Sequence, residues 1–109
     1  MKLIIAIIQD QDVQKATGAL IAAGFMSTRL ASSGGFLRAG ATTLLVGVED
    51  EQVEAACEVI KNACQARTKM VTPMTPLAGS MDNYLPYPVE VVVGGAVMFV
   101  VDVVHFEKA

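Results

Sequence analysis

The chain has 109 residues, of which 53% are hydrophobic and 17% are charged. A chain of this length and this apolar character forms one folded domain, so intrinsic disorder is excluded. Eight Lys and Arg against eleven Asp and Glu give a formal net charge of −3, and without any run of basic residues a DNA-backbone binder is a poor prediction.

The chain begins with a predicted strand and helix. Residues 2–9 are an isoleucine-rich run without polar alternation, which is typical of a strand that is buried on both faces. Asp10 or Asp12 can cap the helix that follows, and Gly24 ends it. The apolar positions of this helix keep helical spacing and predict its buried side: Val13, Ala16, Leu20 and Ile21.

Two strands and a second helix come next. The strands are predicted at residues 25–33 and 41–48, with a glycine-punctuated loop at 34–40 between them. A cluster of carboxylates then marks the start of the second helix, where the positive end of the helix dipole stabilises negative charge: Glu49, Asp50, Glu51 and Glu54. The buried stripe of that helix is predicted to contain Val53, Ala56, Cys57, Ile60 and Cys64.

The last third of the chain combines a long loop with two strands. Residues 67–88 hold all four prolines and predict a structured loop, and loops of this length are usually functional or ordered by a partner. Strands are predicted at 89–93 and 96–104, with Gly94-Gly95 between them as the turn of a hairpin.

This order of elements predicts an α+β fold. It is a ferredoxin-like β-α-β-β-α-β plait with one added C-terminal strand, in a single domain over residues 1–109. Two helices cover only one face of such a sheet, yet the first strand and the final pair of strands are apolar on both faces. Because the uncovered face needs a cover other than water, we expect further copies of the same chain to pack against it.

The longest apolar run bears on localisation, and the two cysteines and the single histidine bear on catalysis. The longest apolar run has 11 residues, against roughly 20 for a membrane-spanning helix, and we expect a cytoplasmic protein. Cys57 and Cys64 lie too far apart along one helix to form a disulfide, and with one histidine a zinc site is not expected. His105, near the C-terminal end, is expected to be a surface or packing residue. We therefore do not expect an enzyme, although a small metabolic enzyme on this fold is one class of function to test.

The segment 28–40 is the most informative for function. Gly34 and Gly35 allow backbone N–H groups to approach an anion or a flat ring. Phe36 and Leu37 are large apolar residues where a loop is normally polar. Arginines and hydroxyls surround them: Thr28, Arg29, Ser32, Ser33, Arg38, Thr42 and Thr43. These residues suit a ligand with an aromatic base and phosphates, but Phe36 and Leu37 could equally pin the loop onto a neighbouring subunit.

Three blocks of sequence carry a resemblance to a known family. They are IIQDQD at 7–12, GGFLRAG at 34–40 followed by Thr42-Thr43, and YLPYPVEV at 84–91 followed by Gly94-Gly95-Ala96. Together they resemble the PII-like cyclic-di-AMP receptors of Gram-positive bacteria over essentially the whole chain. The GGFLRAG block is the most specific of the three.

The resemblance implies a homotrimer in which cyclic-di-AMP, rather than a cofactor, sits at each subunit interface. It implies a signal-transduction protein whose two loops reorder on binding and so change a contact with an unknown protein partner. No metal, nucleic-acid or membrane contact is implied. The ligand-binding residues carried over are Thr28 for a phosphate, Gly35, Phe36 and Leu37 for base and backbone contacts, Gly47, and Phe99 on the last strand.

Two positions depart from the family pattern. Met26 stands where an arginine commonly helps hold a phosphate, and Ala41 stands where an asparagine commonly hydrogen-bonds adenine. The alternative hypothesis is therefore a PII-like trimer that has lost or changed this ligand. Such a protein would bind another adenine nucleotide or act only through protein contacts.

Overall fold

The computed structural model describes residues 1–30, 40–71 and 88–109. These ranges contain two helices and six strands, and one-turn 3-10 helices at Asp10–Asp12 and Asp50–Gln52 lead into the two α-helices. In chain order the elements are β1 (Lys2–Gln9), α1 (Val13–Ala22), β2 (Ser27–Leu30), β3 (Ala41–Val48), α2 (Val53–Ala63), β4 (Arg67–Val71), β5 (Val89–Val93) and β6 (Ala96–Asp102).

The main sheet has four strands in the order β2-β3-β1-β6, and neighbouring strands are antiparallel. Since β1 and β2 both run antiparallel to β3, they are parallel to each other and enclose β3 as a split β-α-β unit. In the same way β3 and β6 enclose β1, with α2 between them in sequence. This arrangement is consistent with the ferredoxin-like plait predicted from the sequence.

The predicted C-terminal hairpin is wrong. β5 pairs with β4 in a separate two-stranded sheet, which we call the arm, while β6 pairs with β1 as an edge strand of the main sheet. Gly94 and Gly95 have φ angles of +85° and +88°, so they redirect the chain from one sheet to the other instead of closing a hairpin. The addition to the plait is therefore a pair of strands inserted before its last strand, not a strand added at the C-terminus.

Two further boundaries differ from the sequence prediction. Residues 67–71, predicted as the start of a long loop, form β4, which pairs with β5 from Arg67 opposite Val93 to Val71 opposite Val89. The second strand, predicted at 25–33, is Ser27–Leu30, and residues 31–33 lie outside the described residues. Residues 72–87 of the predicted loop also lie outside them.

The core lies between the helices and one face of the main sheet. Ile4, Ala6 and Ile8 point into it from β1, which is the alternation of a strand with one face against helices. The other buried apolar side chains are Val13, Ala16, Leu20, Phe25, Leu44, Val46, Val48, Ala56, Ile60, Ala63 and Cys64. The stripe predicted for α2 is confirmed, with Val53 and Cys57 packing partly buried against it. Ile21 is 70% exposed because it lies about 100° around α1 from Leu20.

The acidic starts of the two helices behave differently. Glu49 forms a capping box with Gln52, whose Oε1 accepts a hydrogen bond from the Glu49 backbone N–H at 3.0 Å. Neither Asp10 nor Asp12 makes a side-chain cap bond, although Asp12 occupies the N-cap position of α1. The 3-10 turn gives Asp12 a helical φ of −100° and ψ of −2°, so its carboxylate is directed elsewhere.

Candidate functional site

The face of the main sheet opposite the helices, which we call the open face, carries apolar side chains on its central and edge strands. Leu3, Ile5 and Ile7 of β1 are only partly buried on this face, while their neighbours in the strand are fully buried on the other. On β6, Val97 and Phe99 are each 54% exposed. Within one chain β1 is fully buried on one face only, not on both as the sequence predicts. An exposed apolar sheet face marks an interaction surface.

Two of the predicted ligand residues share one row across the open face. Thr28 lies opposite Leu45, Leu45 opposite Ile5, and Ile5 opposite Phe99. Directly opposite residues of an antiparallel sheet point to the same face. Thr28 and Phe99 stand at the two edges of the sheet, three strand spacings or about 14 Å apart. A single subunit therefore does not bring these two residues together.

Gly47 lies in the adjacent row of the same face. It is opposite Leu3, and it is a diagonal neighbour of Thr28 across the β2–β3 pair. A Cβ built on Gly47 would have no heavy atom within 4 Å, so the backbone here is open to an approaching molecule. The remaining predicted ligand residues, Gly35, Phe36 and Leu37, lie outside the described residues.

Arg29 faces the other side of the sheet from Thr28. Adjacent residues of a strand alternate between faces, and Arg29 pairs with Leu44, whose side chain lies in the core under the helices. The Arg29 side chain borders a cleft of about 550 Å³ that is also lined by Asp10, Gln11, Val13, Gln14, Leu30, Ala41 and Thr42. The guanidinium therefore does not join Thr28 on the open face.

The two departures from the family pattern, Met26 and Ala41, lie at opposite ends of the β2–β3 pair. Met26 comes directly before β2 and is 85% exposed, so an apolar side chain stands in solvent two residues before Thr28. Ala41 is the first residue of β3 and pairs with Gln9 at the end of β1.

Residues 9–12, which we call the junction, place polar groups at the end of β1. The backbone N–H of Asp10 donates to the carbonyl of Gly40 at 2.8 Å, and its carboxylate accepts a hydrogen bond from the hydroxyl of Thr42. These contacts hold Gly40–Thr42, which we call the stem and which consists of Gly40 and the first two residues of β3. The sequence predicts only a helix-capping role for Asp10, and no local pattern indicates these contacts to the stem.

The junction also holds the base of the arm. The Oε1 atom of Gln9 accepts the backbone N–H of Gly94 at 2.8 Å, and Oδ1 of Asp12 accepts from the Arg67 guanidinium at 3.0 Å. Asp12 is almost completely buried, whereas the Arg67 side chain is 46% exposed. Among the described residues, the second carboxylate oxygen of Asp12 has no hydrogen-bond partner.

The described residues offer little nucleophilic or acid–base chemistry. Burial raises the pKa of the Cys64 and Cys57 thiols, with the nearby Asp12 charge adding to the effect at Cys64, so both remain protonated and unreactive at neutral pH. His105 is exposed, and its Nε2 lies 3.1 Å from Oε1 of Glu107, a partner that the sequence analysis did not identify. No group of three or more His, Cys, Asp or Glu within residues 1–30, 40–71 and 88–109 is placed to hold a metal ion.

Comparison with known proteins assigns the family. The model of the cyclic-di-AMP receptor family matches residues 1–109, the whole chain. The chain belongs to the cyclic-di-AMP receptor family. The resemblance stated from the sequence is thus confirmed, and receptor-family membership implies a binding protein rather than an enzyme. No helix in the described part of the chain is long and apolar enough to cross a membrane.

A solved structure agrees with the fold of this cyclic-di-AMP receptor family member. The chain is similar to the crystal structure of a functionally unknown protein from Pediococcus pentosaceus ATCC 25745, with 38% sequence identity and a TM-score of 0.74. The match covers 99% of this chain and 96% of the other.

The Asp12–Arg67 pair predicts an asymmetric response to mutation. Arg67→Ala leaves a buried carboxylate without its cation and should lower the free energy of unfolding by about 3 kcal/mol, the low end for a buried pair because Arg67 is half exposed. Asp12→Asn keeps the shape and an acceptor oxygen and leaves Arg67 free to be solvated, so it should cost about 1 kcal/mol or less. Urea unfolding at matched protein concentration measures both, and equal or reversed costs contradict this account.

Proposed function

We propose that this receptor-family protein is a cytoplasmic homotrimer that binds cyclic-di-AMP at its subunit interfaces. Binding reorders the loop predicted at 34–40 and the remainder of the loop predicted at 67–88, and thereby controls contact with a protein partner. The observation that carries the proposal is the whole-chain match to the cyclic-di-AMP receptor family, together with the open face on which Thr28, Gly47 and Phe99 lie.

The position of the predicted ligand residues supports a site shared between subunits. Thr28 and Phe99 stand at opposite edges of one sheet, about 14 Å apart, so a compact site in which both contact the same part of the ligand takes its Phe99 from a neighbouring copy. Packing copies through their open faces also removes half-exposed valines and Phe99 from water, at roughly 25 cal/mol per Å² of apolar surface. The same packing would therefore stabilise the trimer and complete the site.

Each proposed ligand residue has a role that suits its chemistry. The hydroxyl of Thr28 donates to a phosphate oxygen, and the bare backbone of Gly47 lets the ligand lie close to β3. Phe36 stacks on an adenine base, which is worth about 1–3 kcal/mol per base, while Gly35 and Leu37 contribute backbone and apolar contacts. Phe99 of the neighbouring subunit covers the ligand from the side.

Ligand binding would alter the contact with a protein partner through the linkage between binding and loop conformation. A ligand that makes better contacts in one loop arrangement shifts the population toward that arrangement. In the sequence, the remainder of the loop predicted at 67–88 joins β4 to β5, and all of β4 and most of β5 are exposed. A change at the end of the arm is therefore accessible to a protein partner.

Substitutions at Phe36 and Gly47 separate ligand binding from trimer packing. Phe36→Ala should weaken cyclic-di-AMP binding by about 5- to 150-fold in a calorimetric titration, because it removes the stacked ring. Gly47→Ala should fold normally, since its Cβ meets no neighbour, but should also weaken binding because it fills the space next to β3.

Phe36→Tyr, which keeps the ring, is the matched control and should bind like the wild type. Light scattering of the same samples should report a trimer throughout. If Phe36→Ala dissociates the trimer instead, Phe36 serves subunit packing and its role in ligand binding is wrong.

The alternative function is a trimer of this family that has lost or changed its ligand, and Met26 and Ala41 motivate it. Met26→Arg supplies a guanidinium at an exposed position two residues before Thr28. If cyclic-di-AMP is the ligand, a charged hydrogen bond to its phosphate should tighten binding roughly 10- to 150-fold, with Met26→Gln as the uncharged control. No binding by the wild type or by Met26→Arg, together with binding of ATP, would favour the alternative.

A further inference from the structure

Two separate parts of the fold are fastened to the junction at residues 9–12. On one side, Asp10 holds Gly40 through its backbone N–H and Thr42 through its carboxylate, and so adds to the β1–β3 pairing that positions the stem. On the other side, Gln9 and Asp12 hold Gly94 and Arg67 at the base of the arm. Helix capping, the role that the sequence suggested for Asp10 and Asp12, accounts for none of these contacts.

The junction behaves as one unit because its residues are also bonded to each other. Residues 10–12 form a single 3-10 turn that is closed by the Val13 N–H on the Asp10 carbonyl. The Nε2 atom of Gln11 donates to Oε1 of Gln9 at 2.7 Å, the same oxygen that accepts from Gly94. A shift of Asp10 with the stem therefore moves the acceptors that hold the arm.

The arm depends on these anchors more than the core strands do. It has two strands, and an isolated two-stranded sheet is marginally stable in water. Arg67 and Val93 are opposite each other at its base, so Asp12 and Gln9 hold both strands at the same level. Elements with few buried contacts open at low free energy, so a small change at their anchors changes their population of ordered states.

We propose that the junction couples the stem at Gly40–Thr42 to the arm, with Gln9, Asp10 and Asp12 as positioning residues, so that occupancy of the ligand site changes the order of the arm. The ligand-dependent part rests on the proposed function, since it requires cyclic-di-AMP to bind near the stem. The mechanical link between stem and arm does not depend on any ligand.

The first experiment tests the link without ligand. Thr42→Val keeps the shape of the side chain but removes the hydroxyl that donates to Asp10. Hydrogen exchange of the Gly94 amide and of the β4 and β5 amides should then speed up about 2- to 10-fold, while the β1 amides are unchanged. Thr17→Val, which removes a hydroxyl bonded within α1, is the matched control and should leave the arm unchanged. Unchanged arm exchange in Thr42→Val overturns the proposal.

The second experiment adds cyclic-di-AMP to the same protein. In the wild type, saturating ligand should slow exchange in the arm. Gln9→Ala removes the acceptor of the Gly94 N–H and should abolish this slowing while cyclic-di-AMP still binds within about tenfold of the wild-type affinity. Gln9→Glu keeps a side-chain oxygen at the same reach and should restore the slowing, which a merely destabilising effect of the Ala variant would not explain.

The outcomes separate the two proposals. If cyclic-di-AMP binds but arm exchange does not respond, ligand coupling through the junction is wrong and the proposed receptor function stands. If cyclic-di-AMP does not bind, the proposed function fails, and the Thr42→Val result alone decides whether the junction links stem and arm.

Discussion

Within the described residues, the two helices cover one face of the four-stranded sheet, and the opposite face is apolar. Alternation in β1 places Ile4, Ala6 and Ile8 in the core and leaves Leu3, Ile5 and Ile7 on the opposite side. The rest of the proposed function depends on this constraint. Under the proposed function, the surface that a second copy of the chain would cover is also the surface on which the described candidate ligand residues lie, so assembly and recognition would share one interface.

Polar contacts from the junction connect the apolar main sheet to the arm. The main sheet, to which Ala41 and Thr42 of the stem belong, is held by extensive burial and strand pairing. The base of the arm is instead attached by a few hydrogen bonds and one ion pair, from Gln9 and Asp12 of the junction and from the Gly95 N–H to the Cys64 carbonyl. Apolar packing is insensitive to small shifts in direction, but hydrogen bonds weaken steeply when their angles change. The fold thus combines a stable sheet with polar attachments that can respond to a ligand.

The sequence predicted most of the plait but misassigned its end. Helical spacing of apolar residues predicted α1 and α2, and an unbroken isoleucine-rich run predicted β1, because each of these signals is local in the sequence. The Gly94-Gly95 pair was misread because positive φ angles serve a hairpin and a change of sheet equally well, and only strand pairing distinguishes them. The contacts of Gln9, Asp12 and Arg67 join residues up to 85 positions apart, so no local pattern could reveal them. The family motif marked residues 7–12 without indicating their structural role.

Native mass spectrometry of the wild-type protein with cyclic-di-AMP tests the central claim most directly, because it counts subunits and ligands in one particle. The account predicts a particle of three 11.5-kDa chains that takes up as many as three cyclic-di-AMP molecules and none of cyclic-di-GMP under the same conditions. A monomer that binds cyclic-di-AMP would contradict the shared interface site. A trimer that binds no cyclic-di-AMP at micromolar concentration would contradict the proposed ligand.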